Sequence, residues 1–177
     1  IAFLVIFGFL LTKVWKTTQR EAFDKAREQA SRYSSACQAW LEVAMDASRT
    51  LAETFEGMKL SGNPMDRTMM DAILKQVLEK NRDFLGVWTC WEPDALDGND
   101  ATYANKPGHD ATGRYIPYWH RGGGSIAVEP LAGYDVPGEG DYYLLARNSG
   151  DETILNPYEY EIGGSKVLLT SVVVPIG

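Results

Sequence analysis

Five aromatic side chains and one carboxylate carry the clearest chemical suggestion in this chain: Trp91, Trp119, Tyr142, Tyr143, Tyr158 and Asp141. They lie in a second half crowded with tyrosine and tryptophan. Core packing is the competing reading for any single ring. It cannot take them all, because adjacent strand residues such as Tyr118 and Trp119 point to opposite faces. Ring faces beside a carboxylate suit a cationic group, each face contributing roughly 0.5–2 kcal/mol. These six residues are therefore candidates for holding a small amine, a betaine or an amino-acid-like molecule. No cofactor is expected.

Other chemistry-bearing residues point less far. Asp94, Asp97, Asn99 and Asp100 resemble part of a calcium loop, but the bidentate Glu that closes such a loop is missing, so a surface loop is expected. His109, Asp110 and His120 lack the i, i+4 spacing of a helical zinc pair, so solvated or structural histidines are expected and no metal. No nucleophile elbow, phosphate loop or dinucleotide fingerprint occurs, and the chain does not read as an enzyme. Arg147 either meets a carboxylate group or caps a short helix. A net charge of -7, from 17 basic and 24 acidic residues, argues against a nucleic-acid partner. Two thiols far apart, Cys37 and Cys90, are more simply buried than bonded.

The elements that position these residues begin with an apolar stretch. Residues 1–12 carry no charge and fall short of the ~20 residues that a spanning helix needs. A signal-peptide core or a buried helix would also fit. The end of a transmembrane helix fits better, with Lys13, Trp15 and Lys16 as interfacial anchors. From 13 to 60 there is no Pro, and no Gly before Gly57, so a long helix is predicted. Phe23, Ala30, Cys37, Ala44, Leu51 and Met58 recur every seven residues, with Ala26, Tyr33, Trp40 and Ala47 three residues on. This seam predicts packing against the chain's own domain, pairing with a second copy as a homodimer, or both along different stretches.

Ser61-Gly62-Asn63-Pro64 should end that helix. A second is predicted over 65–83, with Asn63 as N-cap and Met69, Ile73 and Val77, joined by Leu74 and Phe84, as its buried stripe. Strands are predicted over 84–91, 114–121 and 125–129, and a short helix over 141–148. A hairpin about Gly163-Gly164 should join 153–162 to 166–175. The apolar run 166–175 reads as a central strand buried on both faces, which would need a further strand beyond Gly177. Helices leading into hairpins imply an α+β fold with an antiparallel sheet, incomplete at its C-terminal end.

The stretches FLGVWTCWEPDALDGND, GHDATGRYIPYWHR, GDYYLLARNSG and ILNPYEYEIGGSKVLLTSVVVPI, following an apolar segment and a long helix, resemble the membrane-distal module of a double Cache sensor domain of methyl-accepting chemotaxis proteins. The resemblance implies a Per-Arnt-Sim-like sheet clamped along the long helix. It divides the chain into a membrane-helix end (1–12), a signalling helix (13–60) and a distal ligand-binding module (61–177). It also implies a receptor of the inner membrane whose sensor faces the periplasm. The same sensor on a histidine kinase or a cyclic-dinucleotide enzyme is the alternative. Amino-acid-sensing members carry Arg-x-Trp-Tyr and, 16 residues after the Trp, a Tyr in a Pro-Tyr pair. Tyr142, Tyr143 and Tyr158 match the three aromatic positions. The Arg position is Gly140, followed by Asp141, and this departure turns the expected ligand toward amines.

Overall fold

The structure is a computed structural model describing residues 2–177, with side chains described from Phe7 onward. Two compact units divide between Val43 and Ala44. Helix α1 (Ala2–Leu60) contributes to both.

Unit 1 is helix throughout its described length, as the absence of Pro predicts. Its seam residues face solvent: Phe23 is 73% exposed, Tyr33 74% and Trp40 65%. Arg32 donates to Glu28 at 2.6 Å, an i, i+4 pair on the surface. Cys37 is exposed, against the expectation of a buried thiol. No helix among the described residues is long and apolar enough to cross a membrane. The span end expected over 1–12 lies partly outside the described residues, which exclude Ile1 and the side chains of 2–6.

In unit 2 the same heptad acquires a partner. Ala44, Leu51 and Met58 are half-buried, and Met45, Ala52 and Phe55 are buried beside them. Helix α2 (Arg67–Lys80) follows the predicted break but starts later than expected. Asp66, not Asn63, is its N-cap, and the Asp66 carboxylate accepts from Thr68 N at 2.8 Å. The buried stripe is Met70, Leu74 and Leu78: Leu74 is buried as expected and Phe84 packs on the same core, but Met69 is 49% exposed and Ile73 and Val77 lie at the margin.

A three-stranded antiparallel sheet, β1 (Gly86–Trp88), β2 (Pro117–His120) and β3 (Ala127–Pro130), forms the centre. Val87 pairs with Trp119 and Trp88 with Tyr118. Alternation sends the first pair into a core with α2, Phe55, Trp91 and Tyr115. It sends the second into a core with Ile116, Tyr142, Tyr143 and Ile162. Helix α3 (Asp141–Ser149) appears where predicted. Strand β4 (Thr153–Ile154) pairs with β7 (Val172–Val173), and β5 (Tyr158–Ile162) with β6 (Ser165–Leu169). The central buried strand expected over 166–175 is not formed. Among the described residues β6 bonds only to β5, and Leu168 is 73% exposed. Only alternate residues, Val167 and Leu169, pack inward.

The loop 94–113 is built around Arg67. Its Nε and Nη2 donate to the two Asp97 oxygens at 2.8 and 2.6 Å, and Nη2 also donates to Asp100 at 2.6 Å. Nη1 donates to the Gly113 carbonyl at 2.9 Å, and the guanidinium lies 4.1 Å from the Tyr103 ring centroid. What reads in sequence as a surface acidic loop is therefore the counter-charge of a 3%-exposed arginine. Asp97 is held below the ordinary aspartate range, first by the Arg67 hydrogen bonds. The stability it adds is thus present above that ordinary range and disappears as pH falls through its lowered folded value. Replacing Arg67 with Met leaves two largely buried carboxylates unanswered. It is expected to destabilise unit 2 by about 3–5 kcal/mol in urea unfolding at neutral pH, with a smaller loss in acid.

Candidate functional site

The site forms where the β1–β2 connection meets α3. Asp110 is its scaffold: Oδ1 accepts from Thr112 N at 2.8 Å, from the Thr112 hydroxyl at 2.7 Å and from Arg114 N at 3.1 Å. Oδ2 takes the Tyr134 hydroxyl at 2.6 Å. This aspartate turn delivers Arg114 into the core. The Arg114 guanidinium lies 4.8 Å from the Tyr134 ring centroid and 5.3 Å from that of Tyr143. Its Nε donates to the Trp91 carbonyl, and Nη2 donates to the Tyr143 hydroxyl at 2.7 Å. Glu92 stands 3.6 Å from Nη2, and it accepts from the Tyr143 hydroxyl and from Arg147 Nε. Two cations and one phenol thus converge on the Glu92 carboxylate.

The electrostatics follow from this packing. Burial pushes the Tyr143 hydroxyl up to about 12, helped by its bond to Glu92, and burial with the Asp110 bond does the same for Tyr134. Both remain donors at neutral pH. Burial also lifts the nearby Cys90 thiol to about 12 against the pull of Arg114, so it stays protonated and unreactive. Burial pushes Glu92 upward, but the Arg147 and Tyr143 hydrogen bonds and the charges of Arg114 and Arg147 hold it below the ordinary glutamate value.

The six residues singled out from the sequence fall into separate places. Tyr142, Tyr143 and Tyr158 share the core beside α3. Tyr142 stacks on Tyr158 with centroids 6.4 Å apart and meets Trp88 and Tyr160 edge-on at 5.5 and 5.6 Å. The Tyr142 hydroxyl donates to the Ala132 carbonyl at 2.7 Å, and Tyr158 shares a 2.7 Å bond with Ser171. Trp91 and Trp119 lie in the other core. Lys59 stands 5.4 Å over the Trp91 ring, and Trp119 Nε1 donates to Asp71 at 3.1 Å. Asp141 accepts from Gly138 N at 2.8 Å, tying the loop before α3. His109 is stacked on Tyr103 at 5.1 Å and His120 is 1% exposed, both built into the protein.

Arg114, Tyr134 and Glu92 escaped sequence reasoning. The available signal was Arg114 itself, a lone charge opening the apolar run RYIPYW. Gly140 explains why the motif arginine is missing. A Cβ there would lie 2.5 Å from the carbonyl oxygens of both Gly133 and Tyr134, so the folded-back loop leaves no room for any side chain.

The long helix and small antiparallel sheets are those of an α+β, Cache-like fold, and the proteins it is similar to are extracellular sensor domains and a chemoreceptor. The chain is homologous to a methyl-accepting chemotaxis protein, TlpQ of Pseudomonas aeruginosa, at 27% identity over 115 residues, covering 58% of this chain and 16% of that protein. It superposes on the extracellular domain of mmHK1S-Z3, described as a histidine kinase, with TM-score 0.75 and 37% identity over 88% of this chain and 53% of that one. The extracellular domain of the related mmHK1S-Z2 gives 0.74, also at 37% identity, over 88% of this chain and 55% of that one. Methyl-accepting Chemotaxis protein X gives 0.73 at 27% identity, over 90% of this chain and 58% of that one. The chain therefore spans a little over half of these solved domains and a sixth of the curated receptor. No family model matches it.

Restoring the motif arginine as Gly140→Arg is expected to add no affinity for carboxylates. It should destabilise unit 2 by about 1–3 kcal/mol through overpacking, measured as a lower thermal midpoint.

Proposed function

We propose that unit 2 is the ligand-binding module of a membrane-anchored bacterial receptor, and that its ligand is amino-acid-like or betaine-like, carrying a carboxylate as well as an amine. The observation that carries this reading is the Arg114 guanidinium between the Tyr134 and Tyr143 rings, with Arg147 beside it. The cation missing at Gly140 is supplied from other elements, which turns the ligand away from the plain amine that the sequence favours. A guanidinium grips a carboxylate through paired hydrogen bonds. Tyr143, on the Arg114 cation, is the candidate ring for an ammonium head, while Tyr142 and Tyr158 pack against each other in the core behind it. Trp91 contributes its carbonyl to Arg114, while Trp119 and Asp141 are supports at a distance.

The test is calorimetric titration of the protein with the common L-amino acids, glycine betaine and choline. An amine that carries a carboxylate should bind, and Arg114→Gln should weaken it by about tenfold or more, a loss of about 1.4 kcal/mol. Binding of choline alone, or an unchanged affinity in the variant, overturns the reading.

Signal output follows the long helix in this reading. The apolar seam of Phe23, Ala30 and Cys37 pairs with a second copy, and a homodimer passes displacement of α1 toward a membrane span that residues 1–12 end. The relatives support a chemotaxis transducer at the inner membrane with the sensor outside the cytoplasm. The higher identity to the two histidine-kinase domains supports the second reading, the same sensor on a kinase. Cys37 reports on the seam: mild oxidation of the membrane-bound receptor should give a disulfide-linked dimer that Cys37→Ser abolishes. A monomer under the same oxidation counts against pairing.

A further inference from the structure

We propose that Glu92 is a built-in competitor: its carboxylate occupies the arginine and tyrosine donors that a ligand carboxylate would use, and the ligand binds by displacing it. The inference rests on the carboxylate-binding reading of this site and adds what fills the site between ligands.

The donors around Glu92 match those that a bound carboxylate requires. The Tyr143 hydroxyl and Arg147 Nε both donate to Oε1, and Arg114 Nη2 lies 3.6 Å from Oε2. Mobility divides unequally between the two sides. The Arg114 side chain is 9% exposed and fixed by the Trp91 carbonyl and the Tyr143 hydroxyl. Tyr143 is also 9% exposed. The Glu92 side chain is 45% exposed and Arg147 49%. Arg114 and Tyr143, the buried donors of the cradle, are fixed, whereas Glu92, with the exposed Arg147 beside it, can rotate into water without opening a core. Glu92 also follows β1 in a turn fixed by Pro93, so its backbone need not move.

A resident carboxylate lowers apparent affinity by the fraction of time the cradle is free. It also keeps two arginines neutralised when ligand is absent, avoiding an unpaired buried charge. A purely structural Glu92, clamping α3 to the β1–β2 connection, predicts the opposite: its removal would loosen the site and weaken binding.

The two are separated by titrating acetate, the simplest carboxylate, into the protein and into Glu92→Gln, Glu92→Ala and Arg114→Gln, with folding checked by circular dichroism. Choline serves as the control without a carboxylate. Expected is acetate binding tightened by about tenfold or more in both Glu92 variants, lost in Arg114→Gln, and no gain for choline. Equal or weaker acetate binding in the Glu92 variants, with binding still lost in Arg114→Gln, overturns the competitor and leaves the carboxylate site standing. Acetate binding that survives Arg114→Gln overturns both. So does a complete absence of acetate binding in the Glu92 variants, since an emptied cradle must accept a carboxylate.

Discussion

A guanidinium 7% exposed among tyrosine rings must have its charge and its donors answered, and much of unit 2 is arranged around that requirement at Arg114. Its Nε uses the backbone of Trp91, at the end of the first predicted strand. Its Nη2 uses the hydroxyl of Tyr143, on α3. Its backbone N–H is taken by Asp110, which also takes the Tyr134 hydroxyl. Segments far apart in sequence are thus fixed to one group. The Tyr134 and Tyr143 rings, 4.8 and 5.3 Å from the guanidinium, shield it from water.

A second buried arginine makes the first possible. Arg67 gathers Asp97, Asp100 and the Gly113 carbonyl, and so fixes the loop whose last residue precedes Arg114. Gly113 is the hinge between the two systems. It sits at φ +85°, and a Cβ there would lie 1.7 Å from the Asp100 carbonyl oxygen. Glycine is required for the close approach that lets one side of the turn serve Arg67 while the next residue turns into the opposite core. The sheet enforces the same division along β2, where Tyr118 and Trp119 must part.

That division explains what the sequence made legible. Period and punctuation located the helices, the β1–β2–β3 meander and the hairpin about Gly163-Gly164, because these depend on local pattern and turn chemistry. Alternation also required that the aromatics divide. It could not say which of the two faces looks toward α3, nor which face a residue beyond the strand end, such as Trp91, would join, so Trp91 and Trp119 group in sequence with Tyr142, Tyr143 and Tyr158 although they lie in the other core. Capping was missed by three residues at α2, since Asn63-Pro64 and Asp66 are both acceptable starts and the choice is made by the burial of Met70 and Leu74. Arg114 stayed hidden because its significance lies in Tyr134 and Tyr143, tens of residues away. The acidic run 94–100 looked solvated because its counter-charge, Arg67, lies on another element.

Helix α1 shows the same limit in another form. One heptad series runs from Phe23 to Met58, yet Leu51 and Met58 pack on the domain while Phe23 is bare. Spacing specifies that a face will be buried, not by what. What ties α1 to the site is polar: Arg49 donates to both Glu152 oxygens at 2.6 Å, just beyond α3. With its two side chains 46% and 37% exposed, the pair is screened by solvent and adds little to stability. Its weight is positional. The helix that carries Tyr143 and Arg147 ends three residues before a carboxylate held by α1. One short turn is thus all that separates the end of α3 from a contact with α1.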